Sequence, residues 1–342
     1  MSPGAPLRPD PRPPLPRARG PLTDFLVAHL ERPPHELPPC PPAEDDALSG
    51  DDFHLALYLC YELHYRSFAG LDEGWEWDPG LLCVRRTLES LFELALVSQV
   101  GAAPWHGDVV DELRRIVDDA DGPSLSSYVG EQGTLEQMQE FAVHRSAYQL
   151  KEADPHTWAI PRLAGGPKAA IIEIQADEYG GGVEAEMHAS LFADTMAALG
   201  LDPAYGAYLD RLPGPTLATV NLVSLFGLHR RHRGSLVGHL AIFEMTSVTP
   251  MARYSRALAR LGLGPDARRF YDVHVEADAR HSVVAADRMA AGLAATEPAL
   301  APDIVFGARA IMDVETRFTD HLLGSWARGR SSLLDEVPCP TA

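Results

Sequence analysis

The stretch His274-Val-Glu-Ala-Asp278-Ala-Arg-His281 sets two imidazoles and a carboxylate at steps of four and three. Those steps match the helical turn, so on a helix all three side chains share one face. The residues around it, 266–293, carry helical apolar spacing, and Gly264-Pro265 punctuates its start. Two imidazoles and a carboxylate are donors suited to iron, leaving positions open for oxygen. The same pattern also occurs on solvated helix faces, so the spacing decides helix before it decides metal.

Outward from this stretch the apolar spacing stays helical almost throughout. Residues 52–69 place Phe53, Ala56, Leu57, Cys60 and Leu63 on one face. Asp78-Pro79 reads as a cap and first-turn proline, opening a helix that runs to Gly101. Thr134-Leu-Glu-Gln137 is a capping box for a helix reaching Glu152. Further helices fit 169–199, 216–229, 234–247, 250–262 and 303–327. Alternating strands are absent, and Ala169 to Ile174, apolar enough for a buried strand, leads straight into a helix. The expected fold is all-α: one helical bundle domain over residues 47–330.

Residues 1–46 hold 14 of the 29 prolines and read as a flexible arm, in which Phe25, Leu26, Val27 and Leu30 form one short docking helix. Residues 331–342, ending in Pro338-Cys339-Pro340, read as a flexible tail. The net charge of −19 argues against nucleic acid or an anionic membrane as partner. The basic run His229 to Arg233 is short and reads as a solvated helix end. No apolar run is long enough to span a membrane and no secretory leader is visible. Four cysteines without CxxC spacing fit a reducing cytoplasm. A homodimer fits base rates alone.

Three more segments carry chemistry. In Glu173-Ile-Gln-Ala-Asp-Glu178-Tyr-Gly-Gly-Gly-Val-Glu184-Ala-Glu186-Met-His188, Glu178 and His188 share a face if the helix is roughly continuous. Glu184 and His188, four apart, share one as well. The three glycines are costly in backbone entropy, so a kink or close approach calls for them. Glu152 closes a helix ahead of Asp154-Pro155. Glu244 lies inside the apolar run Leu240-Ala-Ile-Phe-Glu244-Met, where a buried carboxylate needs a metal, an arginine or a histidine beside it.

Together the stretches SAYQLKEADPHTWAIPRL, EIQADEYGGGVEAEMHASLF, HLAIFEMTS and HVEADARH, spanning Arg145 to Arg288, resemble the haem-oxygenase-like diiron oxidases, also labelled iron-containing redox enzymes. The resemblance implies a haem-oxygenase-like helical bundle with ligands at Glu152, Glu178, His188, His274, Asp278 and His281. Several members carry a further glutamate three residues before the histidine, where this chain has Ala185. The second iron site then falls to Glu178, Glu184 or Glu244, and holds its ion more weakly. The implied cofactor is a pair of ferrous ions. The implied activity is use of dioxygen, with an unidentified electron donor, to oxidise a small metabolite: N-oxygenation of an amine, oxidative cleavage of an amino acid, or decarboxylation of a carboxylic acid. Tyr148, Tyr179 and His156 are candidates to support the ligands. Two rivals stand beside this reading. One is a helical scaffold in which the same residues form a buried salt-bridge network. The other is a metal-free, thiaminase-like member of the fold, which would need a cysteine nucleophile.

Overall fold

The computed structural model describes residues 10, 12–101 and 107–335. Cys339 and the other residues from 336 to 342, with residues 1–9 and 11, lie outside the described residues. Every regular element among the described residues is helical.

The chain opens with α1 (Pro21–Leu30), whose Leu22, Leu26 and Leu30 face inward at steps of four. Its free N-terminal amides are satisfied from a distance. Asp52 accepts from the amides of Leu22 and Thr23, each at 2.9 Å, and from the Thr23 hydroxyl. Asp52 belongs to α2 (Asp51–Glu62), so one carboxylate pins the arm helix to the body. Other described residues of the arm also contact the body. Arg19 donates to the Leu209 and Leu212 carbonyls, and Pro13 accepts from Ala69 N. Proline prevents extended secondary structure, yet packing of even three leucines holds the segment down. Part of the tail is likewise tied. Ser332 donates to Glu140 and accepts from His144, and Leu333 is buried.

The middle of the chain follows its caps. Asp78 starts α3 (Pro79–Val100), Asp108 starts α4 (Val109–Asp118) and Ser124 starts α5 (Leu125–Gln132), each accepting from a first-turn amide. The Thr134/Gln137 box starts α6 (Leu135–Gln149). A short α7 (Asp154–Thr157) leads to α8 (Gly165–Glu178), then α9 (His188–Ala198) and α10 (Gly214–Leu228). Nearly all of α10 is buried, as a helix apolar on every side must be. It packs between α2 and α15 (Ala301–Ala327). The helix α11 (Arg233–Thr246) lies closely along α15. A Cβ on Gly238 would fall on the Ile304 carbonyl, and one on Gly307 on that of Ser235, so only glycine admits this approach. Then come α12 (Val248–Arg260) and α13 (Pro265–Val283), which widens into a π-helical turn at Val284–Ala290 before α14 (Ala291–Thr296). The helix α13 packs on α9, α11 and α12.

Four expectations change in detail. The helix expected over 169–199 is two helices, α8 and α9, parted by Gly180–Gly182, all three at positive φ. The helix expected to reach Glu152 ends at Gln149, and the one expected to reach residue 69 ends at Glu62. The basic run after α10 is paired rather than only solvated: Arg231 meets Glu93 at 2.6 Å and His229 meets Glu89 at 2.9 Å. No helix among the described residues is long and apolar enough to cross a membrane.

Candidate metal centre

Five segments converge on one buried spot. From α13, His274, Asp278 and His281 point the same way and are 4%, 2% and 0% exposed. The end of α8 brings Glu178 and the start of α9 brings His188. The glycine turn between them folds the chain back, so Glu178 Oε2 and His188 Nδ1 lie 2.7 Å apart. Glu152, on the turn after α6, stands 3.6 Å from His274 Nε2. Glu244, on α11, stands 3.5 Å from His281 Nδ1, which is also 3.5 Å from Asp278.

These side chains form two groups whose donor atoms are close enough to hold a metal ion: Glu152, Glu178, His188 and His274, and then Glu178, Asp278 and His281. Glu178 is common to both. Of the two alternatives for completing the second group, Glu244 is buried beside it. Glu184 is exposed in the turn and does not reach it.

The partners on the far side of each ring settle how the imidazoles present themselves. His274 Nδ1 donates to the Phe270 carbonyl at 2.7 Å, which leaves Nε2 facing the cluster. His281 Nε2 lies 2.9 Å from Asp177, which leaves Nδ1 facing it. Ser247 donates to Asp278 Oδ2 at 2.5 Å, fixing that carboxylate. Neither Asp177 nor Ser247 stands out in the sequence. The signals are that Asp177 directly precedes Glu178 and that Ser247 lies three residues past Glu244. Of the expected supporting residues, Tyr179 donates to Asp154 and also meets Thr157, tying α8 to α7. Tyr148 and His156 line the adjoining cavity, and His156 pairs with His239 at 3.1 Å.

As a salt-bridge network the cluster is poorly made. Glu152 Oε2, Glu178 Oε2, His188 Nδ1 and His281 Nδ1 are buried without a hydrogen bond. They touch one another or a neighbouring ligand as ion pairs at 2.7–3.6 Å, without the direction of a hydrogen bond. Burial pushes Glu178 up to about 7 and Glu244 up to about 8. Burial also opposes charge on His274 and His281. For His274 the carboxylates, Glu152 foremost, outweigh burial and raise it to about 10. Asp278 and Glu244 do the same for His281, which rises to about 11. His188 is pushed down to about 4, by burial and then by His274. The pull that concentrates protons on two of the imidazoles is the pull a divalent cation would answer. The orphaned atoms and the carboxylate–imidazole donor set both fit iron.

A cavity of about 920 Å³ opens from the cluster, walled by Phe141, Tyr148, Phe243, Met251 and Tyr254. Three more buried polar atoms on residues lining it lack hydrogen bonds, the Tyr271 hydroxyl, Gln149 Oε1 and Gln175 Oε1. The described cysteines, Cys40, Cys60 and Cys83, are free and none lines the cavity, which removes them as nucleophiles there.

The sequence profile of a family described as iron-containing redox enzymes matches residues 139–316, just over half of the chain, and takes in every residue of the cluster. Comparison with curated proteins finds no match.

Proposed function

The chain belongs to the iron-containing redox enzymes, and from that premise we propose that it is a non-haem oxidase or oxygenase in which two ferrous ions activate dioxygen toward a small metabolite in the adjoining cavity. The observation that carries this reading is the convergence of seven ionisable side chains, four of them with orphaned buried atoms, at the end of that cavity. Glu152, His188 and His274 would hold one ion, Asp278 and His281 the other with Glu244 beside them, and Glu178 would serve both. When bound, the irons supply the electrons and open positions that dioxygen requires. Facing helices of a bundle present ligands in this inward manner.

The remaining work falls to the protein. Phe270, Asp177 and Ser247 hold His274, His281 and Asp278 in orientation. The aromatic walls exclude water from the reacting end. Tyr271 and Gln149 offer hydrogen bonds that orient the substrate. In the outer cavity Glu315 pairs with Arg145, Asp119 with Arg115 and Asp313 with Arg317, and Asp121 and Asp320 add negative charge. That balance attracts a cation, and favours an amine or amino-acid-like substrate over a free carboxylic acid. N-oxygenation of an amine or oxidative cleavage of an amino acid follows as the reaction class, with an external reductant completing turnover and the cytoplasm as the compartment.

Anaerobic loading with ferrous iron tests the assignment. The wild type should retain iron through desalting, and the His281→Ala variant should lose iron and turnover together. Unchanged iron stoichiometry in that variant would refute it.

A further inference from the structure

Glu152 differs from the other candidate ligands in its support. Glu178, His188, Glu244, His274, Asp278 and His281 all lie on helices, whereas Glu152 stands on the turn between α6 and α7. A turn is the less rigid platform, so something else must aim the carboxylate.

Its neighbour Lys151 is 1% exposed, and lysine is almost never buried so fully without a partner. Lys151 Nζ meets Glu62 Oε2 at 2.8 Å, and Glu62, at the end of α2, is fully buried. The ammonium also sits 4.2 Å from the centre of the Tyr65 ring and 5.1 Å from that of Tyr58. Glu62 is itself held, accepting from the Tyr205 hydroxyl at 2.8 Å and from Arg66 N at 3.3 Å.

The rest of the turn is fastened on both sides of Glu152. Arg66 Nη2 donates to the Leu150 carbonyl at 3.1 Å, and Gln175 Nε2 donates to the Ala153 carbonyl at 2.9 Å. Ala153 adopts φ 75°, which a residue with a Cβ accepts only where its surroundings impose it. Gln175 lies on α8, one turn before Glu178, so the same contacts set the two carboxylates against each other.

We infer that Lys151, through its buried ion pair with Glu62, is a positioning residue that fixes the turn presenting Glu152 to the metal centre. The inference rests on the metal reading above and adds a function for a pair that touches no metal. Glu152 belongs to only one of the two groups. Loss of the Lys151 anchor should therefore weaken one ion and spare the other, which general loosening of the fold would not do.

The test is titration of the full-length chain with manganese(II), followed by electron paramagnetic resonance, with circular dichroism as a check on folding. Glu152→Ala identifies the ion that depends on Glu152. The double variant Lys151→Met/Glu62→Leu removes both charges and so leaves no unpaired buried ion. It should bind that same ion ten- to a hundredfold more weakly, the range for residues that orient metal ligands, with the other ion unchanged. If the double variant does not fold, Lys151→Gln/Glu62→Gln, which also removes both charges, carries the same comparison. Leu113→Ala, a buried truncation on α4, should lower thermal stability and keep both ions.

A folded double variant with wild-type affinity for both ions overturns the inference and leaves the metal reading standing. Loss of the Glu152-dependent ion in Leu113→Ala overturns it as well. Failure of the wild type to bind any ion removes the metal reading and the inference with it.

Discussion

Gly180 offers a measurement of what the turn between α8 and α9 is for. Its φ is 60°, and a Cβ placed there would lie 2.5 Å from both Glu186 C and Met187 N. Those are main-chain atoms, so no rotamer change relieves the contact. Gly181 has the same φ of 60° but nothing within 4 Å of its Cβ position. Gly181→Ala should thus show the left-handed backbone cost alone, about 1–2 kcal/mol. Gly180→Ala carries that cost and an overpacking cost of about 1–3 kcal/mol. To reach ordinary contact the main chain next to His188 must move by roughly 0.9 Å, from 2.5 to 3.4 Å. That shift disturbs the approach of His188 to Glu178. Urea denaturation of the metal-free variants, followed by circular dichroism, reads the difference as a change in midpoint at constant slope. Gly180→Ala should lose at least about 1 kcal/mol more than Gly181→Ala and should bind metal more weakly. Equal stabilities would show that the close approach to Glu186 and Met187 does not constrain the turn.

Two further outcomes are expected. Glu93 is pulled down to about 2 by its hydrogen bond with His232 and then by Arg231. A lowered folded value means that its pairing stabilises above the unfolded value near 4.5 and fades as pH falls from there toward 2. The stability gap between the wild type and Glu93→Gln should therefore close over that interval in urea titrations, and a gap that holds constant would contradict the assignment. Tyr271→Phe removes a buried hydroxyl that has no partner. Its stability should match or exceed the wild type, while affinity for an amine substrate falls about tenfold, the worth of a lost hydrogen bond; a stability loss instead would place the hydroxyl's partner within the protein.

The helical fold is written in local signals. Caps at Asp78, Thr134 and Gly264-Pro265 and the apolar period between them mark elements that tertiary packing then keeps. The face shared by His274, Asp278 and His281 is legible for the same reason, since it depends only on the helical period. Burial of Glu244 follows from its apolar run, and the cost of a lone buried charge calls for the partner found in His281. Other features depend on distant contacts and leave no local trace. Glu178 and His188 do meet, though not along one continuous helix, because the glycines turn the chain back on itself. The proline-rich arm looks unstructured until Asp52, thirty residues past Leu22, supplies its cap. Glu152 resembles any glutamate at a helix end, and only the spatial neighbours of Lys151 distinguish it. Asp177 becomes recognisable once the ring it faces is in place.

The π-helical turn at Val284–Ala290 has a consequence for how α13 serves two demands. Ahead of it, the angular phase of the helix is dictated by His274, Asp278 and His281. Within it, the phase is dictated by Val284, Ala285 and Met289, which meet α8 and α11. A regular helix would lock those two phases together, and any drift in one would rotate the other out of place. The wider turn absorbs the mismatch, so the chemical half and the packing half each keep their own bearing on a single rod.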